Sequence, residues 1–306
     1  MNLDLTDEQA ALDETVVDVL TRETTDEARL ASLDAGGFLD VVADAGVIEG
    51  VLVVERAAAA LMPSLAARVL VGPLAGVADL PPLVGLVEGG RDGRIVRDAT
   101  MCGAFFVVDD DRVLLVTRDE AEVEPVASMF GPHVGRVTVR GGTTLDATAA
   151  ARVRQGWDAA IALEAGAVMA AAIQMTADYV TNRFQFGHPI GTFQGVQQQL
   201  ARAHAMATAA RWLARRAAWF VDDAFLTASA ATYACHAATV VSTNTHQVTG
   251  AIGITSEHGL VDLTGRLLAI RQEHGGQRAH ARRTAQARRA NPSTAPSPIP
   301  LPEPVS

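Results

Sequence analysis

The sequence predicts a mostly α-helical protein with one small β domain in its middle. Alanine-rich segments with apolar residues at helical spacing occupy both ends of the chain, and aromatic residues make up only 5% of its 306 residues. A stretch rich in glycine and proline separates them and contains short apolar runs typical of strands. The predicted parts are an N-terminal helical domain (1–75), a β domain (76–147), a four-helix bundle (148–290) and a tail (291–306).

Helices are predicted throughout the N-terminal domain. Residues 6–9, Thr-Asp-Glu-Gln, match a capping box, in which side chains bind the free backbone N–H groups at a helix start. A second helix is predicted from Gly37 to Ala45, and a third from Glu49 to Leu61 that ends before Pro63.

Five apolar runs predict a small antiparallel β domain. They are Leu83–Val87, Phe105–Val108, Val113–Val116, Val123–Val126 and Arg136–Arg140. Three consecutive aspartates at 109–111 lie between two of these runs and predict a hairpin turn. Because three consecutive side chains cannot all point one way, we interpret them as a solvated turn rather than a metal site.

Four long helices are predicted to follow. They are Ala159–Asn182, Phe193–Phe220, Ala224–Thr245 and Leu260–Arg289. Their alanine-rich faces permit the close antiparallel packing of a four-helix bundle, with a subunit interface in addition. Six prolines between residues 292 and 304 predict an extended or disordered tail.

Composition excludes several classes of function. The formal net charge of −10 argues against a general nucleic-acid binder. No uninterrupted apolar run approaches the roughly 20 residues of a membrane helix, and the N-terminus does not resemble a secretory signal, so a cytoplasmic location is expected. Cys102 and Cys235 lack metal-ligand spacing and are predicted to be buried reduced thiols. All 25 basic residues are arginines, so an arginine at a site is weak evidence alone.

The segment from Arg183 to Gln194 is the first candidate binding feature. Arg183 ends a predicted helix, and its planar guanidinium can bind a phosphate bidentately. Two glycines and a proline then turn the chain, and Thr192 is predicted to cap the next helix, whose free N–H groups would face the same anion. The alternative is an ordinary helix–turn–helix.

Two motifs resemble the acyl-CoA dehydrogenase family. One is the run from Arg183, which matches the family's Arg-x-Gln-Phe-Gly-x-Pro-Ile followed by Phe-Gln. The other, from Gln247 to His258, is similar to Gln-x-x-Gly-Gly-x-Gly-x-Thr-x-Glu-His. The resemblance covers roughly residues 150–275 and implies FAD as cofactor, bound across a subunit boundary. It implies that Arg183 and Gln194 contact the pyrophosphate and adenosine of a neighbouring subunit's FAD. The same dinucleotide would be lined by Gln247, Val248, Thr249, Gly250 and Ala251.

The middle of the chain departs from that family. Full-length members carry a larger β barrel with a Thr-Glu-Pro…Gly-Ser-Asp element and a Trp-Ile-Thr-Asn-like element, and neither is present here. Flavin chemistry depends on hydrogen bonds near N1 and N5 of the ring. We therefore expect that this chain does not hold a complete flavin site by itself.

The resemblance gives two positions for a catalytic glutamate. The first falls on Trp157, which cannot accept a proton, with Asp158 about 100° away around the helix. Asp158 and Glu164 are interpreted as capping or surface charges. The second position falls on Glu273, but its flanking residues differ from the family's, so its role stays open between a catalytic base and a solvated turn.

No catalytic residue and no metal ligand are assigned to this chain. His258 and His274 have no partner at metal-ligand spacing in the sequence, so no zinc site is expected.

The predicted function is that of a shortened subunit in a heteromeric acyl-CoA dehydrogenase. It resembles the actinobacterial α2β2 enzymes that desaturate CoA thioesters of cholesterol side-chain fragments. A full-length partner would supply the β barrel, the flavin-ring contacts and the base. Two alternatives stay open. One is a self-sufficient homo-oligomeric acyl-CoA dehydrogenase with Glu273 as base, and the other is a non-enzymatic helical interaction protein that has lost FAD.

Overall fold

Helices dominate both ends of the computed structural model, which describes residues 5–89, 93–109 and 112–291. The N-terminal helices are α1 (Asp7–Arg22), α2 (Asp26–Ala35), α3 (Val41–Asp44), α4 (Val47–Ala59) and α5 (Gly72–Leu74), with a π-helical turn at Ala67–Val71. The capping box is confirmed. Thr6 accepts the backbone N–H of Gln9, and the Gln9 side chain accepts that of Thr6.

The second predicted helix is misplaced. Helix α2 begins earlier, because Thr25 accepts the backbone N–H of Ala28 and caps it. Gly37 takes a positive φ of 75° after this helix, and only the short α3 lies within the predicted span. The third predicted helix corresponds to α4.

The β region consists of two small sheets. Its strands are β1 (Val84–Glu88), β2 (Arg94–Val96), β3 (Ala104–Val108), β4 (Val113–Thr117), β5 (Ala121–Pro125), β6 (Gly135–Val139) and β7 (Thr143–Thr144). One sheet has the order β1-β3-β4-β7 and the other β2-β6-β5.

The prediction of an antiparallel domain is wrong for one strand pair. Strand β1 runs parallel to β3, whereas the other pairs of these two sheets are antiparallel. The chain leaves the first sheet to form β2 in the second and then returns, and such a crossover allows β3 to run in the direction of β1. Asp110 and Asp111 of the predicted hairpin turn lie outside the described residues.

The C-terminal part is a helical bundle. Its elements are α6 (Ala147–Asn182), β8 (Phe184–Gln185), β9 (His188–Pro189), α7 (Gln194–Trp219), α8 (Ala224–Thr249), α9 (Leu260–Ile270) and α10 (Gly276–Ala290). Helices α6, α7 and α8 pack together, with α10 against α8 and α9 against α6. The buried face of α7 is built from alanines at helical spacing: Ala203, Ala207, Ala210, Ala214 and Ala217. Small side chains let the helices approach closely, as predicted. Residues 292–306 of the predicted tail lie outside the described part.

The helix predicted from Leu260 to Arg289 is interrupted. A 3-10 turn at Glu273–Gly275 separates α9 from α10. His274, Gly275 and Gly276 have positive φ angles of 52°, 78° and 69°, which an α-helix does not accommodate. The bend places Glu273 and His274 against the start of α6.

Replacement of Gly275 by alanine is expected to destabilise the protein by about 1–3 kcal/mol, because a side chain is strained at positive φ. The added Cβ would also lie 2.6 Å from Cβ of Ala279. Gly195→Ala is the matched control, since its Cβ meets nothing within 4 Å and its φ is not positive. Urea unfolding should show a loss for Gly275→Ala alone. Equal curves for the two variants would contradict the strained bend.

Two helices are long and apolar enough to cross a bilayer by length and composition alone, namely α6 and the stretch Ala224–Ile254. In the folded chain, 78% and 50% of their most apolar windows are buried. This burial is typical of core helices. Both cysteines are buried and free, as predicted.

Candidate functional site

Arg183 lies at the end of α6 and is followed by a short hairpin. Its backbone N–H donates to the carbonyl of Tyr179 at 2.9 Å, and its own carbonyl accepts the N–H of Ile190 at 2.8 Å. Strands β8 and β9 pair between these points, and Phe186 and Gly187 take positive φ at the tip. The Arg183 side chain is exposed and makes no hydrogen bond or ion pair with any residue that the structure describes. A fixed backbone thus presents a free guanidinium.

An open pocket of about 340 Å³ adjoins this arginine. It is lined by Met175, Asp178, Tyr179, Asn182, Arg183 and His258. Arg183 belongs to the first predicted motif and His258 to the second, so the fold brings parts of both together. The His258 ring packs edge-to-face on Tyr179 with centroids 5.1 Å apart, and its buried Nδ1 makes no hydrogen bond with the described residues.

The other predicted cofactor residues lie at the same end of the bundle. The N-terminal end of α7 lies beside the C-terminal end of α8, where Asn244 Nδ2 donates to the Gln199 carbonyl at 3.1 Å. Gln194, Gln247, Gly250 and Ala251 are exposed, Val248 is half-buried and Thr249 is buried. The Thr249 hydroxyl donates to the Thr245 carbonyl at 2.8 Å. Thr249 therefore has only its backbone to offer a ligand.

Thr192 does not cap α7, contrary to the prediction. Residues Ile190–Thr192 form a separate 3-10 turn, in which the Thr192 hydroxyl donates to the Pro189 carbonyl at 2.8 Å. The N-cap is Phe193, and no side chain hydrogen-bonds to the first turn of α7. The positive end of this helix dipole is consequently left for an external anion.

A second cavity, of about 380 Å³, lies where β1 and β2 meet the bend between α9 and α10. Its apolar wall comprises Val84, Leu86, Ile95, Val96, Phe130, Val134 and Trp157. Its polar wall comprises Ser64, Glu88, Arg94, Arg97, Asp98, Gln272, Glu273 and His274. Both positions that the resemblance gives for a catalytic glutamate line this cavity.

Those two positions are in contact. The Trp157 indole N–H donates to Glu273 Oε2 at 3.3 Å, and Arg97 Nε donates to Glu273 Oε1 at 2.8 Å. The Glu273 side chain is 22% exposed, so it is an ion-paired carboxylate rather than a freely solvated one. Both oxygens of this carboxylate therefore already accept a hydrogen bond within the chain.

Glu164 is also part of this network, and its interpretation as a capping or surface charge was wrong. It is 3% exposed, accepts from Arg97 Nη2 at 2.6 Å and is hydrogen-bonded to the Ser64 hydroxyl. Arg97 therefore joins α6 to the bend that contains Glu273.

Asp158 is buried at 3% exposure, so the same interpretation was wrong for it. Its Oδ1 accepts from His274 Nδ1 at 2.9 Å, from His280 Nδ1 at 3.0 Å and from Arg283 Nη2 at 2.8 Å. Burial alone would raise the pKa of Asp158, but these donors hold that pKa far below its usual value. Burial lowers the pKa of His274, although Asp158 opposes the shift.

His274 has potential metal-ligand neighbours after all. Ligand atoms of Asp158, His274 and His280 lie within 4.8 Å of one another. However, Arg283 brings its positive charge to the same carboxylate, and both imidazole Nδ1 atoms already hydrogen-bond to it. The group is electrostatically satisfied without a cation. The histidines lie 116 and 122 residues from Asp158, a separation that hid the cluster from spacing arguments.

The protein is expected to lose stability as the pH falls below about 6.5, the usual histidine pKa. His274 has a lowered pKa in the folded chain, so the unfolded chain takes up that proton first. Its contribution is complete above the unfolded pKa and declines as the pH drops toward the folded one. Urea unfolding near pH 7.5 and near pH 5.5 measures the decline. His274→Phe, which keeps a ring against Trp157, should flatten it, and an unchanged decline in the variant would exclude His274 as the cause.

Known structures share this fold. Butyryl-CoA dehydrogenase from Megasphaera elsdenii superposes with a TM-score of 0.74 at 17% identity, covering 94% of this chain and 99% of that one. The ChsE4-ChsE5 complex from Mycobacterium tuberculosis superposes with a TM-score of 0.74 at 21% identity, covering 97% of this chain and 100% of that one. Residues 158–289 match the family model of the acyl-CoA dehydrogenase C-terminal domain. These residues belong to the acyl-CoA dehydrogenase C-terminal domain family.

Curated acyl-CoA dehydrogenases also match in sequence. Acyl-CoA dehydrogenase FadE28 of Mycobacterium tuberculosis is 33% identical over an alignment of 122 residues that covers 35% of this chain and 36% of FadE28. Acyl-CoA dehydrogenase IpdE2 of Mycolicibacterium smegmatis is 26% identical over an alignment of 245 residues that covers 74% of this chain and 72% of IpdE2. A variant of the Tcur3481-Tcur3483 steroid ACAD superposes with a TM-score of 0.76 at 20% identity, covering 94% of this chain and 99% of that one.

Proposed function

We propose that this acyl-CoA dehydrogenase chain is the subunit of a cytoplasmic α2β2 heteromer that grips FAD but does not carry the base. The heteromer desaturates a steroid-derived CoA thioester between its α and β carbons. The observation that carries the proposal is the Arg183 guanidinium, which has no partner among the described residues and lies at a hydrogen-bonded hairpin beside the open pocket that His258 also lines. We assign this exposed guanidinium to a bound anion.

The position of Arg183 along α6 supports a grip on a neighbour's cofactor. Trp157 and Arg183 are 26 residues apart on one continuous helix, which corresponds to about 39 Å at 1.5 Å per residue. That distance exceeds the length of an extended flavin dinucleotide. A dinucleotide held by Arg183 therefore has its flavin ring outside this chain's own cavity.

The local chemistry fits the dinucleotide part of FAD. The Arg183 fork suits a diphosphate, the N-terminus of α7 has no side-chain cap, and Gln194 and Gln247 are exposed at the same end of the bundle. When bound, FAD would accept the hydride that leaves the β carbon of the substrate. The residues of this chain bind and orient its diphosphate end.

The cavity of this chain is a poor place for the base. Desaturation needs a carboxylate free to accept the α proton of the thioester. Trp157 has no such group, and Glu273 is held by Arg97 and Trp157. We therefore assign the base, the β barrel and the flavin-ring contacts to a full-length partner subunit.

Two proteins of similar structure support the steroid class and the heteromer. The ChsE4-ChsE5 structure is a complex, and the Tcur3481-Tcur3483 protein is described as a steroid ACAD. Both share the fold of this chain along nearly its whole length.

The proposal is tested by measuring flavin content in two preparations. One is the chain alone. The other is the chain co-expressed with a longer acyl-CoA dehydrogenase that has an intact β barrel and a glutamate in the helix before its arginine motif. We expect a colourless preparation from the chain alone and one FAD per heterodimer from the complex. A yellow, active preparation of the chain alone would replace the proposal with the self-sufficient enzyme. That enzyme's candidate base is Glu273, which lines the cavity, so Glu273→Gln should then abolish activity. A stable complex without flavin would instead indicate an interaction protein.

A further inference from the structure

The interior cavity has features of a small-molecule site that is separate from the proposed FAD-binding residues around Arg183. Its volume of about 380 Å³ lies within the range of ligand pockets. Apolar side chains from β1, β2 and the loop before β6 form most of its wall. Such cavities bind mostly apolar molecules and orient them through a few polar groups.

His274 is the polar group with the most constrained position. Its Nδ1 hydrogen-bonds to Asp158 at 2.9 Å, and its ring stacks on Trp157 with centroids 4.5 Å apart and planes 6° apart. Its backbone takes a positive φ of 52°, which is uncommon for a residue with a side chain and occurs at functional sites. Two contacts and the bend therefore lock the ring.

The second nitrogen of this ring is a hydrogen-bond acceptor. Asp158 is a carboxylate and can only accept, so the imidazole proton lies on Nδ1 and Nε2 keeps its lone pair. Burial lowers the pKa of His274, which keeps the ring neutral at neutral pH. His274 Nε2 makes no hydrogen bond to the described residues, yet it is not among the fully buried atoms that lack a partner. His274 is one of the residues that line the cavity.

The other polar groups of the wall are engaged or hydrated. Glu273 is held by Arg97 and Trp157, and Asp98 accepts the backbone N–H of Ser64 at 2.9 Å. The remaining lining residues, Glu88, Arg94 and Gln272, are exposed. Among the described side chains of this wall, the buried His274 therefore offers a ring nitrogen without a hydrogen-bond partner.

We propose that this cavity binds a mostly apolar molecule bearing one hydroxyl group, and that His274 Nε2 accepts the hydrogen bond from that hydroxyl. A carboxylate is disfavoured at this nitrogen because it would place a second acceptor against the lone pair of His274 Nε2. The wall is largely apolar, so a neutral donor is the group that it accommodates. Asp158 and Trp157 act as positioning residues for the ring. The proposal does not rest on FAD binding, because Trp157, which lines the cavity, lies 26 residues along α6 from Arg183.

The test compares 2-naphthol with naphthalene, which differ by the hydroxyl alone, in fluorescence titrations of the full chain. We expect 2-naphthol to bind about 3- to 10-fold more tightly, as one net hydrogen bond allows. His274→Phe keeps a ring on Trp157, so it should still bind naphthalene but lose the preference for the hydroxyl. His204→Phe, at an exposed position on α7, is the matched control and should retain the preference.

Equal binding of the two probes by the unaltered chain would overturn the proposal. So would an undiminished preference in His274→Phe, or failure of both probes to bind. If His274→Phe does not fold, the proposal is tested with a crystal of the unaltered chain soaked in 6-bromo-2-naphthol. We expect the anomalous signal of bromine in the cavity, with the hydroxyl hydrogen-bonded to His274 Nε2. Bromine found only at other positions would refute the site.

Discussion

Alanine in place of Arg183 should lower the affinity of the assembled heteromer for FAD by at least about tenfold. Charge-assisted hydrogen bonds are worth about 1.5–3 kcal/mol each, and the guanidinium offers two in parallel to a diphosphate. The side chain is exposed and unpaired within the described chain, so its removal should leave folding unchanged. Flavin absorbance after desalting and FAD titration of the apoprotein measure the loss.

Two further variants sharpen that experiment. Arg183→Lys keeps the charge but not the planar fork, so it should restore only part of the affinity. Arg202→Ala removes an exposed arginine from α7 and should leave flavin content unchanged. Full flavin content in Arg183→Ala would show that Arg183 does not hold FAD and would remove the main support for the proposed function.

Asp158→Ala is expected to cost about 3–5 kcal/mol of unfolding free energy, the range for breaking a buried ion pair from one side. The substitution would leave His274, His280 and Arg283 without their common acceptor in the interior. Urea unfolding followed by circular dichroism at neutral pH measures the loss.

Asp222→Ala is the matched control for that substitution. Asp222 also pairs with an arginine, Arg152, but both side chains are well exposed. Exposed pairs contribute little, so this variant should unfold almost like the unaltered chain. If Asp158→Ala were equally mild, the cluster at the bend would not hold α10 against α6.

Local signals in the sequence predicted most of the helical fold. The pattern at residues 6–9 gave the start of α1, and alanine spacing gave α7 and α8. The order of helices, strands and bundle is confirmed. The bend at His274 had a visible signal in Gly275 and Gly276, but the helical spacing on both sides suggested one helix.

Contacts between distant segments were the part that could not be predicted. Glu164 is buried because Arg97 meets it from 67 residues away, and no local pattern indicates that pairing. The same holds for Asp158 with His280 and Arg283. The parallel pairing of β1 with β3 likewise depends on a chain crossover rather than on residue alternation.

The place of the arginine hairpin could be predicted, while its details could not. The two motifs do reach one end of the bundle, where Arg183 and His258 line the same pocket. Thr192 has the side chain of a good N-cap, but the turn at Ile190–Thr192 moves the helix start to Phe193. A tertiary constraint thus overrode a local preference.

Arg97 links segments that are distant in the sequence, and this affects how the protein unfolds. This residue follows β2 and is bound to Glu164 in α6 and to Glu273 after α9, and Ser64 reaches Glu164 from the N-terminal helices. Local unfolding of any one of these segments would leave an unpaired charged side chain in the interior. The strands and the long helices should therefore unfold cooperatively, and the slowest-exchanging amide protons of β1, β3 and α6 should share a single protection free energy.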